Sequence, residues 1–263
     1  MSVIRTDRWL TAQHRPVKLC RKLTPYFQET VSSDHIHQHL SLHGMYRKPL
    51  KDNDNFIKSL QKRDIWRIVG QEEKQLREAW DGPTVPIFIL PADPGNCKLR
   101  HELNGKSGLS FPDKVFLFVS EHNTKDEIRA LFTHEYNHVC RLAKYNKQET
   151  DYLLLDTVVL EGLAENAVRE RLGSYYNADW TSYYSKKRLE HICKHLILPN
   201  RNVPKSSPKH EQILYGLGPL PNMAGYGAGY YLVHQYMIAN DLSSQDLLTI
   251  KPEDIIHKTD DAT

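Results

Sequence analysis

Apolar residues in the first 80 positions recur at helical spacing. The segment FIKSLQKRDIWRIVGQEEKQLREAW, residues 56–80, places an apolar side chain every three or four positions and predicts helix with a break around Gly70. Two later runs, VPIFIL (85–90) and KVFLFVS (114–120), are short, β-branched and aromatic, and bounded by turn-forming residues, which is typical of strands. The segment 91–113 between them is predicted to be a loop.

The chain after the second strand has a helical pattern. Thr124 and Glu127 form a capping box, which predicts a helix that begins there and continues through THEYNHVCRLAKY. Further helices are predicted over residues 151–173, ended by Gly173, over 180–198, and over 224–239, with a proline-rich loop at 198–212. Because strands precede helices and do not alternate with them, the fold class is predicted to be α+β.

Composition narrows the functional class. A hydrophobic fraction of 40% in 263 residues is enough for a substantial core. The formal net charge is only +3 and the basic residues are scattered, so neither nucleic acid nor a membrane surface is an expected partner. Without an apolar leader pattern and with four cysteines but no CxxC, we expect a soluble, cytoplasmic protein with reduced thiols.

The candidate chemistry begins at HEYNH, residues 134–138. With 14 histidines in the chain, an H-E-x-x-H match needs support from its context. The motif lies inside a predicted helix, where His134 and His138 share a face and can offer nitrogens to one metal ion. Glu135 is rotated about 100° from His134, which places it beside the metal as a candidate general base.

The next predicted helix supplies two acidic candidates. In LLLDTVVLEGLAENAV nearly every side is apolar, yet Glu161 and Glu165 lie on one face. Buried like charges four residues apart are unfavourable unless a cation compensates them. A catalytic zinc needs a third protein ligand, so Glu161 is predicted as that ligand and Glu165 as an acceptor that orients a ligating histidine.

Other interpretations of these residues stay open. The HEYNH residues could form a solvated polar face, and the two acids could be paired with Arg141 or Arg169. Cys97 could be a thiolate third ligand in place of Glu161.

Other cysteines and histidines fit a metal site less well. His101 begins a second H-E pair that Gly105 prevents from closing, and Cys140 points away from His138 around the helix. His35, His39 and His43 have helical spacing and could bind a second metal, but no acid accompanies them, which favours a solvated face.

The motifs HEYNH and EGLAE together resemble the gluzincin branch of zinc metallopeptidases. The chain as a whole is similar to the YjaZ-like family of predicted zinc-dependent proteases. That similarity extends over an N-terminal RTDRWL stretch, GMY at 44–46, W-x-GP-x-VPIFI, FLF, ALFTHEYNHVCRL, LEGLAENAV and a late GYGAGYYLV, and therefore over most of the chain.

The resemblance implies roles for particular residues. It implies Zn²⁺ held by His134, His138 and Glu161, with Glu135 as general base and Glu165 orienting a ligand. It implies that KVFLFVS is the edge strand along which an extended peptide lies.

The resemblance also implies that a later side chain stabilises the oxyanion. The candidates are Tyr226, Tyr230 and His234, with Tyr226 preferred and Tyr230 next. The alternative for this segment is a glycine-aromatic helix that only packs beneath the site.

We therefore expect a gluzincin-like α+β metallopeptidase. It should have a small sheet, an HExxH helix, an EGLAE helix and a helical C-terminal half. An N-terminal helical region is predicted over residues 1–82 and the zinc metallopeptidase domain over residues 83–263. The substrate is expected to be a peptide or protein. The alternatives are a zinc amide hydrolase acting on a small or N-acyl substrate, and a peptide-binding, chaperone-like protein with little turnover.

Overall fold

The structure is a computed structural model that describes residues 2–12, 14–28, 30–145 and 147–260, with side chains described up to residue 256. The chain divides into two compact units, residues 1–139 and 140–263, which are described separately below. This division lies elsewhere than the predicted boundary at residues 82 and 83, which stays a prediction. Among the described residues, every helix is too short or too polar to cross a lipid bilayer.

The first unit contains the N-terminal helices and the whole β-sheet. Its helices are α1 (Thr6–Ala12), α2 (Pro16–Cys20), α3 (Ser33–Leu42), α4 (Asn53–Lys62), α5 (Ile65–Trp80), α6 (Cys97–Glu102) and the first part of α7 (Lys125–Lys144). Its strands are β1 (Ile87–Pro91), β2 (Ser107–Phe111) and β3 (Lys114–Val119). The architecture is α+β with a small three-stranded sheet, which confirms the predicted fold class.

The sheet has the order β1-β3-β2, with β3 parallel to β1 and antiparallel to β2. Every residue of β1 and β3 is buried, which explains why both read as continuous apolar runs. The prediction that KVFLFVS is the edge strand is wrong, because β3 lies in the centre of the sheet. The outer strands are β1, which is buried and forms an isolated bridge with Val3, and β2, whose five residues are all partly exposed. In the described part of the chain β2 pairs with no further strand.

Two local predictions in this unit are also wrong. Residues 91–113 are not simply a loop, since they contain α6 and β2. Helix α5 continues through Gly70, where an added Cβ would meet only Val3 at 3.6 Å. The helix break lies instead at Asp64, which adopts a left-handed φ of +57° and separates α4 from α5. Aspartate tolerates this conformation better than most residues.

The start of α7 is a capping box, as predicted. The amide of Thr124 donates to Glu127 Oε2 at 2.7 Å, and the amide of Glu127 donates to Thr124 Oγ1 at 3.2 Å. Each side chain thus satisfies one amide that the first helical turn cannot pair internally. The helix that carries HEYNH begins where its local sequence indicates.

The second unit is helical. After the end of α7 it contains α8 (Leu154–Leu172), α9 (Lys186–Ile192), α10 (Pro208–Tyr215), α11 (Ala224–Asn240) and α12 (Pro252–Asp260). Gly173 ends α8 with a φ of +91°, as predicted. The helix predicted over 180–198 is shorter, because a 3₁₀ turn (Asp179–Ser182) precedes α9 and a π turn (Cys193–Ile197) follows it. The predicted loop at 198–212 contains the first turns of α10.

Helices α8 and α11 approach each other at glycines. A Cβ on Gly229 would lie 2.0 Å from the carbonyl oxygen of Val158, and a Cβ on Gly162 would lie 2.2 Å from the carbonyl oxygen of Gly229. The buried side chain of Asn166 reinforces this contact by donating to the carbonyls of Gly162 at 2.8 Å and Tyr230 at 3.0 Å. The glycine-rich helix α11 is therefore a packing element of this unit.

The glycine contact yields a stability prediction. We expect Gly229→Ala to lower the free energy of unfolding by about 1–3 kcal/mol, because the new methyl group meets a backbone oxygen that no rotamer change can move. Urea unfolding of the metal-free protein measures this change.

The matched control lies in the same helix. Gly227 has space for a Cβ, with Leu189 at 3.4 Å as its nearest neighbour, so Gly227→Ala should be neutral or stabilising by up to about 1 kcal/mol. Equal unfolding midpoints for the two variants would contradict the proposed backbone contact.

Candidate metal centre

The two histidines of HEYNH lie one turn apart on α7. Their Nε2 atoms are 3.0 Å from each other, and the ring planes are nearly perpendicular at 86°. In a tetrahedral zinc site with Zn–N distances of about 2.0–2.1 Å, two ligand nitrogens lie about 3.3 Å apart. His134 and His138 therefore present their nitrogens within about 0.3 Å of the separation found in such a site.

Glu135 lies between these histidines in sequence and is held by the edge strand β2. Its side chain is buried, and its Oε2 accepts a hydrogen bond from Ser110 Oγ at 2.5 Å. The same hydroxyl lies 2.8 Å from the main-chain oxygen of Glu135. A Cβ on Gly108 would lie 2.3 Å from the Cγ, Cδ and Oε1 atoms of Glu135, so the glycine leaves the space that the carboxylate occupies.

Glu161 lies on α8 and is half-buried. His134, His138 and Glu161 each offer one ligand atom, and the three atoms lie within 4.8 Å of one another, which makes them a possible metal-binding group. Among the described residues, no other group of three or more histidine, cysteine, aspartate and glutamate ligand atoms is this close together. Cys97 is not a member of the group and is exposed at the start of α6.

Glu165 is buried on α8 one turn after Glu161. Its Oε2 accepts from Asn177 Nδ2 at 2.7 Å and from the amide of Ala178 at 3.1 Å, and Asn177 also donates to the main-chain oxygen of Glu165. These donors compensate the burial of the carboxylate. The predicted contact between Glu165 and a ligating histidine stays a prediction.

Arg141, one of the two arginines considered as partners for the acids, has a different role. Its guanidinium donates to the main-chain carbonyls of Leu247, Leu248 and Ile250 at 2.6–3.1 Å. It also lies over the ring of Tyr145, 3.9 Å from the ring centroid. In this unit Arg141 therefore anchors the segment before α12.

The three oxyanion candidates lie on α11 in two groups. Tyr226 contacts Trp180 and Tyr215, with ring centroids 5.2 and 5.5 Å away. Tyr230 stacks in parallel on His234, with a centroid distance of 5.9 Å. Burial raises the pKa of Tyr230, the positive charge of Arg169 lowers it, and the negative charge of Glu165 raises it, with a net increase.

Tyr215, at the end of α10, contacts the candidate Tyr226 and was not singled out by the sequence pattern. Burial raises the pKa of its hydroxyl, a hydrogen bond with Tyr226 lowers it, and the negative charge of Glu161 raises it again, so that the net change is an increase. The side chain of Tyr215 thus contacts Tyr226 and is near enough to Glu161 to be influenced by its charge. Its signal in the sequence is weak because Tyr215 lies in a different segment from the GYGAGYYLVH motif.

The other histidines and cysteines are separate from this group. His39 and His43 have ring centroids 4.9 Å apart, but neither they nor His35 belong to a three-residue metal-binding group among the described residues. Cys140 is buried, and His101 lies on α6.

Comparison with known proteins gives this geometry a family context. Residues 65–257 match the family model described as predicted Zn-dependent protease (DUF2268). The chain belongs to this family. It is 38% identical over 255 residues to the uncharacterized protein YjaZ of Bacillus subtilis (strain 168), covering 96% of this chain and 97% of YjaZ. It is 22% identical over 200 residues to the uncharacterized protein YjfC of the same organism, covering 72% of this chain and 65% of YjfC.

No solved structure matches the chain. The DUF2268 match includes α7, α8 and α11, and so every residue of the possible metal-binding group. The name of the family implies zinc dependence and proteolysis, both as predictions.

The hydrogen bonds to Glu165 give a second stability prediction. Asn177→Ala should lower the free energy of unfolding of the metal-free protein by about 1–3 kcal/mol, because a buried carboxylate loses a donor. Asn222 is exposed in the same unit, so Asn222→Ala should change the free energy of unfolding by less than about 0.5 kcal/mol. Urea unfolding compares the two, and an Asn177→Ala protein as stable as the Asn222→Ala protein would show that the contact contributes little.

Proposed function

We propose that the protein is a zinc-dependent peptidase that hydrolyses peptide bonds through a metal-activated water. In this proposal His134, His138 and Glu161 hold Zn²⁺ and Glu135 is the general base. The observation that carries it is the HEYNH geometry, in which two histidine nitrogens lie 3.0 Å apart and the intervening Glu135 is fixed by Ser110. Membership of a family described as predicted Zn-dependent proteases supports the same conclusion.

The donor set suits zinc. Two imidazole nitrogens and one carboxylate oxygen are a common ligand combination in catalytic zinc sites, which keep the fourth position for water or substrate. A bound zinc ion would lower the pKa of a coordinated water to about 7 and polarise the substrate carbonyl.

The residues of the chain then carry the proton transfer. Glu135 accepts the proton from the attacking water at its carboxylate and delivers it to the leaving amine nitrogen. Glu165 is proposed to orient a ligating histidine, while Asn177 and Ala178 keep its carboxylate in place. Each of these roles requires a carboxylate that stays in one position while it is charged.

The substrate is proposed to be a peptide in an extended conformation. Because β2 is a partly exposed outer strand, its outer backbone groups can pair with a peptide that adds to the sheet. This assignment replaces β3, whose two edges are both paired. The peptide would then follow the strand that carries Ser110.

The oxyanion donor is proposed to be Tyr226, with Tyr230 as the second candidate and His234 as the third. Tyr226 is supported by its hydrogen bond with Tyr215, on which the negative charge of Glu161 also acts. A tyrosine hydroxyl can donate to the developing negative charge.

Two other functions would use similar residues. An amide hydrolase acting on a small or N-acyl substrate would depend on Cys97 as third ligand, but Cys97 lies outside the possible metal-binding group. A peptide-binding protein with little turnover would keep its zinc and would be indifferent to the loss of Glu135.

Metal analysis and peptide-library cleavage test the proposed function. The wild-type protein should contain one zinc per chain, Glu135→Gln should keep the zinc and lose at least about a thousandfold in kcat, and Glu161→Ala should lose the zinc. Cys97→Ser is the control and should keep both the zinc and the cleavage activity. A wild-type protein without stoichiometric zinc, or cleavage unchanged in Glu135→Gln, would overturn the proposal.

A set of tyrosine variants tests the oxyanion donor. Tyr226→Phe should lower kcat about a hundredfold with little change in KM, because the hydroxyl acts on the transition state. Tyr231→Phe is the control, since that hydroxyl donates to Glu190 on α9. A loss in Tyr230→Phe but not in Tyr226→Phe would assign the role to Tyr230.

A further inference from the structure

Strand β2 contacts the side chain of Glu135 with two of its residues. Gly108 and Ser110 are two positions apart in the strand and therefore face the same side of the sheet. Gly108 leaves room for Cγ, Cδ and Oε1, and Ser110 Oγ contacts Oε2. The carboxylate is thus held at Oε2 by a hydroxyl, while Gly108 leaves the space that Oε1 occupies.

We propose that Ser110 is a positioning residue for Glu135 and that Gly108 provides the space in which it is positioned. This inference rests on the proposed role of Glu135 as general base. Neither residue is expected to touch the reacting atoms. Their effect is to hold the carboxylate in one orientation, with Oε2 on the hydroxyl and Oε1 left for the proton that the base accepts.

The hydroxyl of Ser110 suits this role because it has two acceptors within reach. Its single proton can point to Glu135 Oε2 at 2.5 Å or to the main-chain oxygen of Glu135 at 2.8 Å. When Glu135 takes a proton on Oε1, its Oε2 remains an acceptor for Ser110, and the main-chain oxygen offers the same hydroxyl a second acceptor. Ser110 keeps its proton throughout, and the heavy atoms keep their places.

The partner of Glu135 is also neutral. A lysine or arginine at position 110 would hold the carboxylate equally well, but its positive charge would weaken the carboxylate as a proton acceptor. A serine hydroxyl orients the group and leaves its charge intact. Because a displacement of about 1 Å at a reacting group can cost about a hundredfold in rate, a single hydrogen bond of this kind is enough to matter.

Steady-state kinetics of the zinc-loaded full chain test the inference. Ser110→Ala should lower kcat about tenfold to a hundredfold and leave KM and zinc stoichiometry unchanged. Ser110→Thr retains the hydroxyl and should keep most of the activity, and Gly108→Ala should lower kcat by displacing Glu135. Ser120→Ala is the matched control, because Ser120 Oγ bonds to Asn123 instead of Glu135.

Two outcomes of these assays would overturn the inference. One is a kcat in Ser110→Ala equal to that of Ser120→Ala. The other is a Ser110→Ala protein whose zinc content or KM changes together with kcat, with the same changes in Ser110→Thr. That result would indicate a merely structural role for Ser110. If Glu135→Gln is inactive but Ser110→Ala is fully active, the proposed function is supported and the positioning role of Ser110 is contradicted.

A measurement independent of activity separates the two proposals. Crystal structures of the metal-free wild-type and Ser110→Ala proteins should show one ordered Glu135 side chain in the first and a displaced or multiple conformation in the second. An identical, ordered Glu135 in both would overturn the positioning role whether or not the protein cleaves peptides. If the wild type cleaves nothing but Glu135 moves in Ser110→Ala, the proposed function fails while the contact itself is verified.

Discussion

The backbone contact between Gly162 and Gly229 determines how the second unit is arranged. Glu161 and Glu165 flank Gly162 on α8, and Tyr226 and Tyr230 flank Gly229 on α11. Because both helices are rigid, one close approach sets the positions of all four side chains together. Asn166 strengthens the same contact with two hydrogen bonds across the pair of helices. The aromatic and acidic residues of this unit thus depend on a contact that involves no side chain of their own.

Two buried carboxylates of the candidate site, those of Glu135 and Glu165, accept hydrogen bonds from neutral donors. Glu135 accepts from the hydroxyl of Ser110, and Glu165 accepts from the amide groups of Asn177 and Ala178. Neutral donors lower the cost of burying a carboxylate without cancelling its charge.

The features that could be predicted from the sequence are those that depend on local spacing. The capping box of Thr124 and Glu127, the end of α8 at Gly173 and the shared face of His134 and His138 each require only residues within a few positions of one another. The membership of the sheet could also be predicted for β1 and β3, because fully buried strands are continuously apolar. Their order could not, since a buried strand and an edge strand are distinguished by partners distant in the sequence.

The residues that were missed or misread carry little chemical signal of their own. The segment SGLSF contains two serines and a glycine, which indicate a turn when only neighbours are considered. In the fold, the same glycine leaves the space for the carboxylate of Glu135, and one of the serines holds it. Gly229 behaves similarly, since it weakens the helical pattern of α11 but permits the contact with α8. A glycine inside a helix or strand can therefore indicate either that the element is interrupted or that another part of the chain packs closely against it. Only the residues that pack against the glycine distinguish these two cases.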